Sequence, residues 1–273
     1  MPGLASLSAN AIQATAPTNV SEKSEPIQDN SFLIEEAYNQ ETGVVQHINT
    51  FSKSQRSRNW LYTFTQEWPV PSLTHQLSYT LQQQRVEGDP ADCIGRGDTL
   101  LNYRYQAIGD GNARVAFAPR FSVVLPTGDE KRGMGKGGTG YQVNLPISVV
   151  LSDHWVTHFN LGGTITPGAR DAAGNSGKTF DYNFGESFIW LAAPTFNVML
   201  ELAYGSLESI AGSGLKQRSD SFYISPGFRW AINCKNNLQI VPGIAFPIGI
   251  GPSNDRAVFF YLSFEHPFKK VAK

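Results

Sequence analysis

The sequence predicts an all-β chain that closes into a transmembrane up-and-down antiparallel β-barrel of about 12 strands. Three observations carry that expectation. From about residue 43 onward, alternating segments are separated by turn residues, and nothing between them reads as an amphipathic helix. The connections alternate between short and long along the chain, as they do when short turns and long loops occupy opposite rims. The last alternating stretch puts Val258, Phe260, Leu262, Phe264 and Phe268 on one face, with Ser263 and Glu265 on the other.

Composition agrees. In 273 residues no apolar run approaches the ~20 needed for a membrane-spanning helix, so a helical membrane protein is excluded. Charged residues make up only 16%, while Gly (26), Phe (17), Tyr (10) and Trp (5) are plentiful. Low charge with many aromatics suits an apolar outer band edged by aromatic girdles. The net charge of -1 gives no reason to expect a nucleic-acid partner, and two cysteines cannot form a disulfide framework. Residues 1–30 are rich in Ser, Ala, Thr, Asn and Pro and lack the charged start and apolar centre of a secretory signal. Residues 1–40 therefore read as a disordered leader or periplasmic segment, 41–268 as the barrel and 269–273 as a basic tail.

The strands fall near residues 43–53, 59–68, 74–86, 99–107, 113–126, 140–151, 155–166, 179–193, 196–205, 221–232, 238–250 and 257–268. Short turns follow the second, fourth, sixth, eighth and tenth. Long connections cover 54–58, 87–98, 127–139, 167–178 and 206–220, with a shorter sixth at 251–256. The faces separate cleanly: Tyr141, Val143, Leu145, Ile147, Val149 and Leu151 oppose Gln142, Asn144 and Ser148. Likewise Phe222, Ile224, Phe228, Trp230 and Ile232 oppose Tyr223, Ser225 and Arg229. The polar face carries Gly, Ser, Asn and Gln with isolated Arg and Glu, and few of the Lys residues that solvated strands use. That composition fits a crowded lumen. One strand breaks the rule, since Glu186 shares parity with Phe180, Tyr182, Phe184, Phe188 and Trp190. A bulge at Gly185 would restore it.

The segments NYRYQ, APRFSVVLPTG, GTGYQVNLPISVVLSDHW and FNLGGTITPGA, all between Leu101 and Ala169, together with the closing strand, carry a family resemblance. Over roughly residues 40–268 the chain resembles the bacterial outer-membrane transporters grouped as the MetA-pathway of phenol degradation family. The resemblance implies a barrel in the outer membrane of a Gram-negative bacterium, termini on the periplasmic side, that passes or binds small, often aromatic or hydrophobic, molecules. The partners implied are outer-membrane lipid and lipopolysaccharide, a small-molecule solute and the barrel assembly machinery. The alternatives are a purely structural barrel and an outer-membrane lipid-modifying enzyme.

Neither a cofactor site nor a catalytic set is readable. The run from Gly135 to Gly140 matches a dinucleotide-binding spacing, but a strand follows it where that motif needs a helix. His47, His75, His154, His158 and His266 have no metal-ligand spacing. A lipase-like reading of His158 would want Ser where Asn160 stands. The expectation is a non-enzyme without cofactor or metal. The lumen-lining candidates are Glu67, Arg104, Arg114, Arg120, Glu201, Arg229 and Glu265. Opposite charges among them would neutralise one another inside a narrow barrel. Glu201 with Arg229 reads as a cross-strand pair, and Arg104 beside Arg114 requires an acid or an anionic ligand between them. The loop 127–139, with five glycines and the cations Lys131, Arg132 and Lys136, reads either as a flexible cover for the mouth that pairs with Glu201 or Glu265, or as a solvated extension that meets surface phosphates. Cys93 and Cys234, at opposite rims, read as two free thiols.

Overall fold

A computed structural model describes residues 27, 31–70, 72–88, 91–110 and 113–267. The alternating segments form one closed antiparallel sheet of 12 wall strands. Four are unbroken in the first third of the ring: β1 (Val44–Ser54), β2 (Trp60–Pro69), β3 (His75–Val86) and β4 (Thr99–Tyr105). Two are split, β5 into Val115–Phe117 and Arg120–Leu125, and β6 into Gly140–Asn144 and Ile147–Ser152. Four are long, β7 (Trp155–Arg170), β8 (Ser176–Ala193), β9 (Phe196–Ile210) and β10 (Lys216–Trp230). Then β11 is split into Gln239–Ala245 and Ile248–Gly249, and β12 (Ala257–Pro267) pairs with β1 from Val44 opposite Pro267 to Ser54 opposite Ala257. That seam leaves the sheet without an edge, so every wall strand has two hydrogen-bonded neighbours.

Burial is inverted relative to a soluble protein. The fully buried side chains include Gln46, Gln76, Ser148, His158, Glu201 and Arg229, whereas Leu161, Phe184, Leu101, Val143 and Phe260 are exposed. This is the arrangement required when the outside solvent is hydrocarbon and the inside is a packed polar lumen. Trp155, Trp190, Phe196, Phe228 and Trp230 gather toward the rim of short turns, forming a partial aromatic girdle with stacked pairs at 6.4 Å (Trp155 and Trp190) and 6.1 Å (Phe228 and Trp230). Among the described residues no helix is long and apolar enough to cross a membrane.

The structure corrects several element boundaries. Alternation alone predicts continuous strands over 113–126, 140–151 and 238–250. Each is interrupted instead at a proline: Pro119, Pro146 and Pro247 lack the N–H that a ladder needs, and a closed barrel has no edge on which to place them. Pro119 and Pro146 lie on adjacent strands between the pairs Arg120–Asn144 and Phe117–Ile147, so the wall kinks across both. The connections expected at 167–178 and 206–220 are mostly strand, because β7 to β10 run on to turns at 171–175 and 211–215. In the first of these, the Asn175 side-chain amide donates to Asp171 and holds its carboxyl below the usual range. The connection at 87–98 contains a wall segment, Cys93–Arg96, paired to the end of β3. Phe268 and the basic tail 269–273 lie outside the described residues.

Gly185 forms no bulge. The β7–β8 register runs unbroken through Asn160 opposite Gly185 and Phe159 opposite Glu186, so Glu186 stays on the outer face.

Candidate functional site

The lumen is occupied by the chain itself. Residues 31–40, assigned from composition to a leader, and residue 41 thread through the barrel from one wall to the other; residues 1–26 and 28–30 lie outside the described residues. Ile27 N–H donates to the Pro194 carbonyl at the short-turn rim. The N–H groups of Phe32, Leu33 and Ile34 then converge on Glu201 Oε1 of β9, at 2.9, 2.9 and 3.2 Å. Glu35 N–H donates to Asn160 (2.8 Å), Ala37 N–H to Ser148 Oγ (2.8 Å), Asn39 N–H to Gln106 (3.0 Å) and Gln40 N–H to Gln76 (2.7 Å). A segment without ladder partners must still satisfy its backbone donors when buried. Here the wall side chains supply the acceptors, which is why a stretch with no strand pattern is ordered.

Side chains lock the same segment. Phe32 packs its ring 5.6 Å from Phe259 and 5.3 Å from Tyr261. Gly227 and Gly243 make room for it, since a Cβ on either would stand within 3.0 Å of the ring. Gly185 does the same for Ile34. Ser148 Oγ, which accepts from Ala37, lies 2.7 Å from His158 Nδ1, and both residues are fully buried beneath the segment.

The charged centre is Glu35. Its carboxylate receives Arg120 Nε at 2.9 Å on both oxygens, Asn144 Nδ2 at 2.6 Å and Arg104 Nη2. Arg104 Nη1 also donates to the Tyr38 carbonyl at 2.8 Å and lies 3.7 Å from the Glu36 carboxylate. Arg104 and Arg120 are direct neighbours across the β4–β5 ladder, so like charges meet there and an acid from residues 31–41 separates them.

The sequence candidates distribute as follows. Glu67 is buried and accepts from Gln76 Nε2 at 2.8 Å. Arg104, Arg120 and Glu201 all bind residues 31–41, as above. Glu265 accepts from Gln46, which in turn accepts from Gln40 at 2.6 Å. Arg229 is fully buried opposite Asn197, and Glu201 faces Ser225, so the two lie on neighbouring strands offset by four residues and not directly opposite. Arg114 is exposed just ahead of β5, at the short-turn rim; the arginine beside Arg104 is Arg120. Arg114 shares the parity of the buried Ala116, Ala118 and Ser122 but stands six residues from Arg120 toward the rim, so parity gave its face and not its height. The residues missed altogether, Phe32 to Gln40, left one signal: an apolar triplet followed by two acids, in a chain whose lumen already needed an acid between arginines.

At the opposite rim the loop 127–139 leans into the mouth. Asp98 accepts from Gly128 N–H (3.0 Å) and Lys136 N–H (2.9 Å), and Met134 is buried beneath. Lys136 Nζ reaches Asp181 of β8 at 3.1 Å. The expected partners Glu201 and Glu265 lie deeper, engaged as described. Cys93 and Cys234 are both free.

Comparison with solved structures finds the same architecture. An outer-membrane channel from Pseudomonas putida F1 is similar over 84% of this chain and 97% of that one, with a TM-score of 0.59 at 13% identity. The KdgM porin is similar over 83% and 99%, with a TM-score of 0.45 at 10% identity. The first of these likenesses establishes the fold as that of an outer-membrane barrel. No family model and no curated protein matches the sequence.

Proposed function

We propose that this protein is an outer-membrane channel for small solutes, closed at rest by its own residues 31–41. The observation that carries the reading is the mode of closure. Among the described residues, the lumen is crossed by an irregular segment held mainly through side-chain hydrogen bonds and the Glu35 ionic centre, with Phe32 and Ile34 packed against the wall. Such contacts exchange for water when the segment leaves, so an open state is accessible without unfolding the wall. The inner wall left behind would be polar and carry Arg104 and Arg120, which favours solutes with an anionic or hydrogen-bond-accepting group. In this reading the short-turn rim and both ends of the sheet face the periplasm, as in other barrels with short periplasmic turns. Lys131 and Arg132 then face lipopolysaccharide phosphates, and insertion depends on the barrel assembly machinery.

The test is electrical. Protein reconstituted in planar bilayers is expected to show low, intermittent conductance, and deletion of residues 31–37 to give larger, sustained steps. Heat-modifiable migration on gels verifies that the deleted form is still a folded barrel. If a folded deletion variant stays non-conducting, the channel reading fails and a structural barrel takes its place.

A further inference from the structure

Glu186 is the one outward-facing carboxylate in a band of Phe180, Tyr182, Phe184, Phe188 and Trp190 on β8. Trp190 lies four residues toward the short-turn rim and Tyr182 four residues the other way. At ~3.3 Å per residue and a tilt of ~40°, that puts Glu186 roughly 10 Å in height from each aromatic level, near the middle of a band ~25 Å tall. A carboxyl group there is unfavourable unless something donates to it, and an ionisable residue at that depth marks a functional site by default. The Thr157 hydroxyl donates to it at 3.5 Å, the outer limit of a hydrogen bond.

Glu186 also borders a depression. Where the wall kinks at Pro119 and Pro146, the outer surface sinks into a concavity of about 560 Å³. Phe117, Phe159, Phe184 and Phe222 line it, and its floor is the backbone at Asn160 and Gly185. The volume is that of a small-molecule site, and an aromatic cup with one acceptor at its edge is how such sites fix an amphiphile's orientation. The lining excludes a charged or multiply polar ligand.

We propose that this depression binds, from the bilayer, an apolar molecule bearing a hydroxyl group, which it donates to Glu186 while its body fills the phenylalanine cup. The site is on the outside of the barrel and is independent of the channel reading; it exists whether or not the lumen conducts. An acyl chain of the surrounding lipid is the competing occupant, and it has no donor for Glu186.

The experiment compares two photoactivatable probes of the same chain length, each carrying a diazirine, one ended by a hydroxyl and the other by a methyl. They are added to protein reconstituted in phosphatidylcholine vesicles, and labelling of residues 157–161 and 184–202 is measured by peptide mapping. Because the two probes sit at different depths, the quantity read is the wild-type to Glu186→Leu ratio for each. The expected ratio is about fivefold for the alcohol, the factor one net hydrogen bond gives, and about one for the methyl probe. Glu186→Gln, whose amide oxygen still accepts, retains most of the alcohol labelling. Equal ratios for the two probes, or an alcohol ratio of about one in variants that remain heat-modifiable, overturn the proposal and leave the depression to lipid chains.

Discussion

Glu35 is held at once by two wall arginines and Asn144. Replacing it with Ala leaves Arg104 and Arg120 side by side without their shared acid, and breaking a buried pair from one side costs about 3–5 kcal/mol. Urea titration of Glu35→Ala should show a loss of that order, and bilayer recordings should show a raised open fraction, because the residue lost anchors the closing segment. Gly185→Val tests the neighbouring Ile34 contact by sterics: the added side chain takes the space of Ile34 Cδ1, which would lie 2.3 Å from a Cβ, and also presses on the Leu202 carbonyl at 2.7 Å. It should raise the open fraction with no charge change. At this scale the sequence was only partly informative. Alternation put Arg104, Arg120, Glu201 and Glu265 on the inner face because parity is a backbone property. It could not show that their partners come from residues 31–40, because such contacts have no period.

Among elements, the loop 127–139 would be the second barrier of the proposed channel. It is tied by Asp98 to the connection ahead of β4 and by Lys136 to Asp181 of β8, so deletion of residues 130–138 should open the long-loop mouth without touching the Glu35 centre. Conductance steps should grow further when that deletion is combined with removal of residues 31–37, and the two effects should multiply if the barriers lie in series. A loop deletion that changes nothing in the already unblocked barrel would make the loop a surface feature. Which connections are long was readable, since turn residues and charge cluster there. Their true extent was not: β7 to β10 continue beyond the apolar band as paired strands, where polar residues satisfy the ladder and no outer face has to be greasy. The prolines misled in the opposite direction, because alternation survives a kink that hydrogen bonding does not.

For the whole molecule, the inversion of burial sets the stability rules. Leu200→Arg on the outer face should lower the unfolding free energy by about 2–4 kcal/mol in a refolding titration. Ser225→Ala, on the fully buried inner face opposite Glu201, should fall well below that. Equal damage would mean two packed faces and a soluble sandwich. The barrel class was legible because twelve weak alternations and two kinds of connection all agreed, although no single strand was decisive.

The β1–β12 seam has a consequence in time. The first wall strand to leave the ribosome must wait for the last, so the ring has no closed form until nearly the whole chain exists. Residues 31–41 immediately precede β1, and they lie inside the finished ring. They therefore have to be in place before the seam zips, or be threaded afterwards through a space that holds them tightly. The order of events in assembly thus decides whether a newly made molecule is born shut or born open. A kinetic experiment that follows Glu35→Ala and wild type from urea into lipid would read that order from the delay between closure of the sheet and loss of conductance.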